Sequence, residues 1–372
     1  MEEKPSINKL HSLAEEENLD IIVMTAPDNI EYFLGIRTIA DSPLLLIYSR
    51  RDEKIAIYTS LLEYYRFRDT LEPRGVEVIA LSRHLKPGDA RVTDKKWSEI
   101  IEGITGYDKI GFDKGMQSPL KQTVLEKLGG KIVDVSKKIW KYRMIKEDWE
   151  IRAIKKAVEI TGKGIFEAVN NLKPSTTEAE TAGFFEQHVR RHGIDEYAFP
   201  PLILFKPGNS YPHNLPGEKK LGRNNLVLLD VGVKVAGRCS DITRMAPWGK
   251  PSMEEEKIME IVSEAIDEVI DKAEPGMTGE EIYMLAYKVI EKNGYGERFI
   301  HGLGHGFGVL VHEQPYISSG VKTVIEPGTV FTVEPGIYLP GRFGVRIEED
   351  VLMTKKGLKV LSSRIPRIIK IF

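Results

Sequence analysis

Short apolar runs alternate with amphipathic segments through the first third of the chain. Five apolar runs predict strands, at 21–24, 44–48, 55–58, 76–80 and 109–112. Apolar residues at helical spacing predict helices at 6–18, 60–70, 95–105 and 117–128. Strands that alternate with helices are typical of an α/β domain. Within this region the Asp28-Asn29 pair indicates a turn.

The pattern changes near residues 140–147. From Glu147 to about Leu172, apolar residues recur on one helical face and predict a single long helix. Pro174-Ser-Thr-Thr177 ends that helix and caps the next one. Strands follow from 195, helices return at 252–272 and 279–292, and strands return after 320. This mixture predicts an α+β architecture for the second part of the chain.

Length and composition fit two soluble domains, which we place at 1–140 and 141–372. The 372 residues are 41% hydrophobic and 29% charged, and 53 basic against 55 acidic residues give a net charge of −2. Because like charges form no block, neither nucleic acid nor a membrane surface is a predicted partner. The polar N-terminus, the lack of a membrane-length apolar run and the single Cys239 predict a cytoplasmic protein.

Three of the eight histidines lie in or just after one glycine-rich stretch, His301-Gly-Leu-Gly-His305-Gly-Phe-Gly308, with His312 following it. The glycines allow sharp bends and leave room around the imidazole rings. Phe307 occupies the place of the third glycine of a G-x-G-x-x-G phosphate cradle. Since neutral imidazole is the commonest metal ligand, a metal site is favoured over a flexible loop with solvated histidines.

Two aspartates are predicted to meet across a hairpin. Leu226–Val233 has the pattern of a strand with Asp230 within it, Arg238–Arg244 is the next predicted strand, and Lys234–Gly237 is the turn. A turn centred between 235 and 236 would place Asp230 directly opposite Asp241, where like charges repel. Either Arg244 or a metal ion could lie between them, and the metal fits better because Arg244 should project to the opposite face.

Two glutamates complete the candidate set. Glu334 ends a predicted strand and precedes Pro335, which restricts its backbone to extended conformations. Glu348 alternates with Arg346 and Asp350 on the last predicted strands, although Arg346 and Glu348 could also be an ordinary surface pair. The full set suits two hard or borderline divalent cations such as Mn²⁺ or Co²⁺ better than one structural zinc, and comprises Asp230, Asp241, His305, Glu334 and Glu348.

The chain resembles the pita-bread metallopeptidases, a group that includes prolidase (Xaa-Pro dipeptidase) and aminopeptidase P. The resemblance covers nearly the whole chain, and residues 1–140 are similar to the creatinase-like N-terminal domain of these enzymes. The motifs that carry it are Asn29-Ile-Glu-Tyr32, Asn209-Ser-Tyr-Pro-His213, Leu229-Asp-Val-Gly232, Ser240-Asp-Ile-Thr-Arg244, Gly304-His-Gly306, His312-Glu-Gln-Pro315, Glu334-Pro-Gly336 and Val345-Arg-Ile-Glu348.

The resemblance implies a role for each candidate residue. Asp230 would chelate one metal, His305 and Glu334 the other, and Asp241 and Glu348 would bridge the pair. A shared hydroxide would attack the peptide carbonyl, with Glu334 handling protons. Substrate contacts would come from His213 and His312, and Arg346 would orient a bridging carboxylate.

The implied activity is hydrolysis of Xaa-Pro bonds by a homodimeric Mn²⁺ or Co²⁺ enzyme, with Zn²⁺ also possible. An Xaa-Pro dipeptidase is expected first. Tyr316 stands where several such dipeptidases carry an arginine for the substrate carboxylate, which leaves an aminopeptidase acting on longer peptides as the near alternative. A non-catalytic peptide-binding relative and a metal-free creatinase-like C–N hydrolase fit the five predicted ligands less well.

Overall fold

The computed structural model describes residues 5–39 and 41–371. The chain divides into two compact units, one ending at Arg143 and the other beginning at Met144. None of the described helices is both long and apolar enough to cross a lipid bilayer.

The first unit is built on a mixed seven-stranded sheet in the order β5-β4-β3-β2-β1-β6-β7. Its strands are β1 Ile21–Met24, β2 Leu45–Ser49, β3 Lys54–Ser60, β4 Val76–Leu81, β5 Val92–Thr93, β6 Ile110–Phe112 and β7 Ile132–Asp134. Its helices are α1 Asn8–Glu16, α2 Pro27–Leu34, α3 Leu61–Leu71, α4 Trp97–Glu102, α5 Lys121–Leu128 and α6 Ser136–Met144. All predicted elements overlap observed ones, which confirms the α/β prediction.

The turn predicted at Asp28-Asn29 is wrong. Both residues lie in the first turns of α2, which Pro27 begins and Gly35 ends with a left-handed φ of 63°. Proline suits the first helical position because its fixed φ is already helical and its missing N–H would have no partner there. The helix packs deeply enough to bury Asn29 and Glu31. A local turn signal is therefore overridden by helix initiation one residue earlier.

The second unit contains four long helices and several small sheets. Its helices are α7 Asp148–Asn170, α8 Glu178–Arg191, α9 Met253–Lys272 and α10 Gly279–Lys292. Its strands are β8 Glu196–Tyr197, β9 Leu202–Phe205, β10 Asn225–Val231, β11 Val233–Val235, β12 Arg238–Cys239, β13 Ile242–Trp248, β14 Gly304–Gly306, β15 Glu313–Ile317, β16 Val330–Val333, β17 Gly336–Leu339, β18 Phe343–Arg346, β19 Glu349–Thr354 and β20 Gly357–Val360. The sheets have the orders β13-β10-β9, β12-β11-β8, β15-β14-β16-β19-β20 and β17-β18.

Strand β10 separates two apolar cores because both of its faces are buried. Val227 and Leu229 belong to the core that includes the apolar faces of α7 and α8. Leu226 and Leu228 belong to the core that includes those of α9 and α10. The two-residue period of a strand puts Asp230 on the same face as Leu226 and Leu228. An acidic side chain thus enters the second face just where the apolar run stops.

The predicted hairpin register is wrong by two residues. Ala236 and Gly237 have φ angles of 47° and 69°, so the turn is centred between them rather than one residue earlier. Positive φ at both central residues is the requirement of a two-residue type I′ turn. Asp230 consequently pairs with Thr243 in the β10–β13 ladder, and Asp241 lies in the break between β12 and β13.

Candidate metal centre

Four of the predicted ligands lie at strand ends or irregularities, whereas Asp230 is paired within the β10–β13 ladder. Asp241 lies between β12 and β13, and Glu348 lies between β18 and β19. Glu334 directly follows β16. His305 is the central residue of β14, where a register shift separates it from Gly306. At these points the backbone is free to turn polar side chains away from the cores.

Two glycines beside His305 are required by close packing. A Cβ atom on Gly304 would overlap the carbonyl oxygen of Thr332, and one on Gly306 would overlap that of Gln314. The neighbouring strands therefore approach β14 more closely than any other residue type permits. The glycine-rich stretch fixes His305 in the sheet, in contrast to the flexible loop considered from sequence.

All five predicted ligands line one cavity of about 440 Å³. Asp241, His305 and Glu348 present ligand atoms that all lie within 4.8 Å of one another. His305 Nε2 is 3.7 Å from Asp241 Oδ2 and 3.3 Å from Glu334 Oε1. Asp230 belongs to the same lining. Residues more than one hundred positions apart in sequence are thus brought to a common site.

A threonine supports the His305 side of the cavity. The Thr332 hydroxyl accepts a hydrogen bond from the backbone N–H of His305 at 3.1 Å and donates one to Glu334 Oε1 at 3.3 Å. His305 Nδ1 contacts the carbonyl oxygen of Gly306 at 3.2 Å, so Nδ1 carries the proton and Nε2 faces the carboxylates. The ring therefore points Nε2 at the cluster, where the protonated ring donates to Glu334 and the neutral ring would offer a lone pair to a cation.

Arg346 organises the opposite side of the cavity. Its guanidinium forms an ion pair with Asp230, donates to the Tyr338 hydroxyl at 2.7 Å and donates to Thr243 Oγ1 at 3.3 Å. Thr243 in turn donates to Glu348 Oε2 at 2.8 Å. The resemblance implied that Arg346 orients a bridging carboxylate; its direct contact is to Asp230, and it reaches Glu348 through Thr243.

Arg244, which was considered from sequence as the positive charge between Asp230 and Asp241, pairs with a different carboxylate. Its side chain is fully buried and pairs with Glu349 at 2.8 Å, while it also donates to the carbonyl oxygens of Ile365 and Glu348. Asp241 instead has its backbone N–H bonded to Asp350 Oδ2 at 3.2 Å. Arg244 thus stabilises the contact of β13 with the start of β19 and with the C-terminal segment.

The electrostatics of the cavity are those of crowded carboxylates. Burial raises the pKa values of Asp241 and Glu348 well above their ordinary range, and neighbouring negative charges add to the rise. Burial also raises the pKa of Asp230, against the attraction of Arg346. For Glu334 the penalty of burial is outweighed by the hydrogen bond from His305, which brings its pKa to about 2.

Three further histidines border the cavity. The ring of His312 lies 4.3 Å from that of His305, centroid to centroid, and burial with the nearby His305 charge lowers the pKa of His312. His213 is exposed on the segment that follows residues 208–210. His301 contacts the carbonyl oxygen of Gly302 at 2.7 Å and the Tyr338 hydroxyl at 3.0 Å. Both ring nitrogens of His301 thus have hydrogen-bond partners.

Apolar side chains form one wall of the same cavity, and sequence reasoning missed them. The wall comprises Phe199, Pro200, Leu202, Pro212 and Leu215. Thr243, Thr332 and Tyr338 were missed as well. Thr332 could have been found from its two-residue spacing to Glu334, which places both on one face of a strand. The apolar wall carried no signal, because apolar residues are expected at most buried positions.

The donor set fits divalent cations. Four carboxylates and one guanidinium line the cavity, so negative charge exceeds the positive charge available from arginine. The raised pKa values of Asp241 and Glu348 reflect the same excess, which bound cations would relieve. Carboxylate oxygens with one imidazole are ligands that suit Mn²⁺, Co²⁺ or Zn²⁺.

Comparison with known proteins identifies two matching families. The sequence pattern of metallopeptidase family M24 matches residues 152–355. That of the creatinase/prolidase N-terminal domain matches residues 7–145.

Individual relatives match over almost the full length. An uncharacterized peptidase of Staphylococcus aureus is 32% identical over 368 residues, covering 96% of this chain and 98% of the relative. An Xaa-Pro dipeptidase of Pyrococcus furiosus is 32% identical over 363 residues, with the same coverage. The crystal structure of an X-Pro aminopeptidase from Thermotoga maritima has a TM-score of 0.87 at 27% identity and covers 99% of this chain and 100% of its own. These similarities confirm the predicted fold, a creatinase-like α/β domain followed by an α+β pita-bread domain.

Proposed function

Because the chain belongs to metallopeptidase family M24, we propose that it hydrolyses Xaa-Pro peptide bonds, with Xaa-Pro dipeptides as its first expected substrates. One observation carries the proposal: four carboxylates and His305 meet in a single cavity that also has an apolar wall. The Xaa-Pro dipeptidase of Pyrococcus furiosus, 32% identical over 363 residues, supports the same substrate class.

The proposed ligands follow from the contacts around the cavity. Asp230 would hold one cation, His305 and Glu334 would hold a second, and Asp241 and Glu348 would be shared by both. Mn²⁺ and Co²⁺ are the expected metals, with Zn²⁺ as a further candidate. Once bound, such cations lower the pKa of water and polarise a carbonyl group, which supplies a nucleophile and an activated peptide bond. The proximity of Asp241, His305 and Glu348 supports the shared position.

Glu334 is the proposed proton acceptor. Its pKa of about 2 keeps the carboxylate ionised at neutral pH, and Thr332 and His305 hold Oε1 in place. A carboxylate held in this way takes a proton from the attacking water and passes it to the leaving amine. The low pKa makes Glu334 a weak base in the metal-free protein. Loss of the charge on His305 would raise the pKa of Glu334 and make it a stronger base.

His312 and His213 are the proposed contacts to the substrate carbonyl. The lowered pKa of His312 leaves its ring uncharged near neutral pH, so it would donate one N–H hydrogen bond rather than a full charge. A donor aimed at the developing oxyanion stabilises the transition state more than the ground state. His213 would approach from the segment that also contributes Pro212 and Leu215 to the apolar wall.

The apolar wall supports a preference for proline. An Xaa-Pro bond is a tertiary amide with no N–H, so a peptidase that binds substrates through that group has no grip on it. Phe199, Leu202 and Leu215 offer the ring an apolar surface instead. Burying a proline ring there gains roughly 25 cal/mol for each Å² of apolar area removed from water.

The direct test is cleavage of a small Xaa-Pro panel by protein loaded with Mn²⁺ or Co²⁺. We expect release of proline from Ala-Pro and no cleavage of Ala-Ala under the same conditions. A metal-loaded, folded protein that cleaves neither Ala-Pro nor Ala-Pro-Ala would refute the proposal. Activity that is undiminished after thorough chelation would favour the metal-free hydrolase chemistry instead.

A second candidate is an Xaa-Pro aminopeptidase that acts on longer peptides. Tyr316, which is 45% exposed, stands where several dipeptidases of this group carry an arginine for the substrate carboxylate. The structural similarity to the X-Pro aminopeptidase of Thermotoga maritima, at a TM-score of 0.87, favours the same candidate. Comparing Ala-Pro with Ala-Pro-Ala separates the two, because exclusive cleavage of the longer peptide would select the aminopeptidase.

The proposal extends to domain limits, assembly and location. We place the N-terminal domain at 1–140 and the catalytic domain at 141–372, and the matched ranges 7–145 and 152–355 support this division.

A homodimer in the cytoplasm is expected from the family resemblance and from the single cysteine, Cys239, which is buried. Light scattering on the purified protein would give a mass of twice 42.0 kDa if the dimer forms.

A further inference from the structure

A buried ion pair lies behind the segment that carries His312. Lys146 Nζ is 3.6 Å from Glu313 Oε2, and each side chain is only 1% exposed. Removing two such charges from water costs several kcal/mol for each ion, so a buried pair is weak evidence for a gain in stability. A role in holding a particular conformation is the better explanation, and the surrounding contacts identify which conformation it holds.

Glu313 closes a tight loop with its other carboxylate oxygen. The backbone N–H of Leu310 donates to Glu313 Oε1 at 2.9 Å, and the N–H of Gly308 donates to the carbonyl oxygen of Leu310 at 2.9 Å. The backbone N–H of Cys239 anchors the start of the loop by donating to the carbonyl oxygen of Gly308 at 2.8 Å. Residues 308–313 are therefore folded around one carboxylate.

Lys146 reaches this loop from a fixed backbone position. Its N–H donates to the carbonyl oxygen of Gly328 at 2.9 Å, and the preceding Ile145 forms a bridge with Thr329. A Cβ atom on Gly308 would lie 3.1 Å from both Glu313 Oε2 and Lys146 Nζ. The ammonium group thus fills the space directly beneath the loop, where a larger residue at 308 would displace it.

His312 is the residue that this arrangement presents to the cavity. It immediately precedes Glu313, its side chain lines the cavity, and its ring lies 4.3 Å from that of His305. We propose that Lys146 is a positioning residue for His312, acting by fixing the Glu313 carboxylate around which the 308–313 loop folds. The consequence for turnover rests on the proposed function, in which His312 contacts the substrate.

The kinetic test is a double-mutant cycle between Lys146 and His312. Lys146→Met should lower kcat for Ala-Pro roughly 10- to 100-fold with little change in KM, since a displacement of about 1 Å can cost a factor of 10². In a His312→Ala background the same substitution should lower kcat by less than about 2-fold, because the residue being positioned is gone. Equal losses in both backgrounds, or loss of bound metal from Lys146→Met, would overturn the inference.

Matched variants separate positioning from general destabilisation. Lys234→Met is the control, because Lys234 is also a buried lysine with a carboxylate partner, Glu196, at 3.5 Å, and it does not line the cavity. It should leave kcat within about 2-fold of the wild type. Lys146→Arg retains the charge and should recover most of the lost turnover. If Lys146→Met fails to fold, Glu313→Gln replaces it in the cycle, because glutamine removes the charge but still accepts from Leu310.

A spectroscopic readout makes the inference independent of activity. In zinc-loaded protein with labelled histidine rings, Lys146→Met should shift the His312 resonances and leave those of His213 in place, while Lys234→Met should shift neither. Unmoved His312 resonances would overturn the inference even if the wild type cleaves Ala-Pro. If Lys146→Met shifts the His312 resonances but the wild-type protein does not cleave Xaa-Pro substrates, the positioning role is sustained and the proposed function is refuted.

Discussion

Each unit of the molecule buries a polar cluster, and the two clusters differ in charge. In the N-terminal unit, the Asn29 amide donates to Asp113, and Arg143 donates to Asn29 Oδ1 at 2.7 Å. Asp113 also accepts from the backbone N–H of Gly115 at 2.7 Å, and Arg143 stacks over the ring of Trp140. One carboxylate and one guanidinium balance each other through a shared amide.

The cavity of the second unit shows the opposite arrangement. Four carboxylates share it with a single guanidinium, that of Arg346, which contacts Asp230. Burial and mutual repulsion raise the pKa values of Asp241 and Glu348. A buried cluster that neutralises itself serves the fold, and one that retains excess negative charge must take up protons or cations from solution.

The largest expected effect comes from neutralising the shared carboxylates. Asp241→Asn and Glu348→Gln should each abolish turnover on Xaa-Pro substrates, because a cation held in place contributes several kcal/mol to catalysis. That loss corresponds to roughly 10³-fold or more in kcat/KM. Circular dichroism should show a fold that is largely intact, and Tm in the metal-free state should not fall, since each change relieves repulsion. Near-normal turnover in both variants would contradict the shared roles.

Breaking the cluster of Asn29, Asp113 and Arg143 should lower the free energy of unfolding and leave the catalytic rate nearly unchanged. Asn29→Ala removes two buried hydrogen bonds and leaves Asp113 and Arg143 less well paired, at a cost of roughly 2 kcal/mol or more. Denaturant unfolding would measure the loss, while kcat of the folded protein should remain within about 2-fold of the wild type. Asn8→Ala, at an exposed position of the same unit, is the control and should change stability by less than about 0.5 kcal/mol. A large drop in kcat at unchanged stability would reverse the contrast between the clusters.

A smaller effect is expected from the threonine that links Arg346 to Glu348. Thr243→Val keeps the shape of the side chain but removes the hydroxyl between these two groups, and should lower metal affinity or turnover roughly 10- to 100-fold. Thr329→Val is the matched control, because Thr329 is also fully buried and its hydroxyl has no hydrogen-bond partner among residues 5–39 and 41–371. Equal effects of the two substitutions would show that Thr243 acts through packing alone.

The smallest expected effect is the release of protons from the carboxylates when metal binds. Burial raises the pKa values of Asp241 and Glu348 in the metal-free protein, so cations compete with protons for these carboxylates. The apparent metal affinity should therefore rise with pH, and the heat of Mn²⁺ binding should depend on the ionisation enthalpy of the buffer. Titration calorimetry in two buffers that bind Mn²⁺ weakly and differ in ionisation enthalpy, such as PIPES and ACES, would reveal the release. Identical heats in both buffers would mean that the carboxylates are already ionised.

Sequence patterns predicted the elements of both units well, because helices such as α7 and strands such as β10 bury continuous or periodic apolar faces. The hairpin register was not predictable, since it depends on a left-handed φ at Ala236, a residue type that rarely adopts one. The five candidate ligands could be identified from the residue pattern, whereas the role of each came from the resemblance to a known family. Its supporting contacts, such as the Arg346–Thr243 link, join residues 103 positions apart and have no local signature.

The central claim is that two cations occupy the cavity formed by the five predicted ligands. Anomalous diffraction at the manganese edge from crystals of Mn²⁺-loaded protein tests it most directly. We predict two peaks per chain, one near Asp230 and one near His305 and Glu334, with Asp241 and Glu348 between them. A cavity without anomalous density at saturating Mn²⁺, or a single peak away from Asp241 and Glu348, would contradict the account.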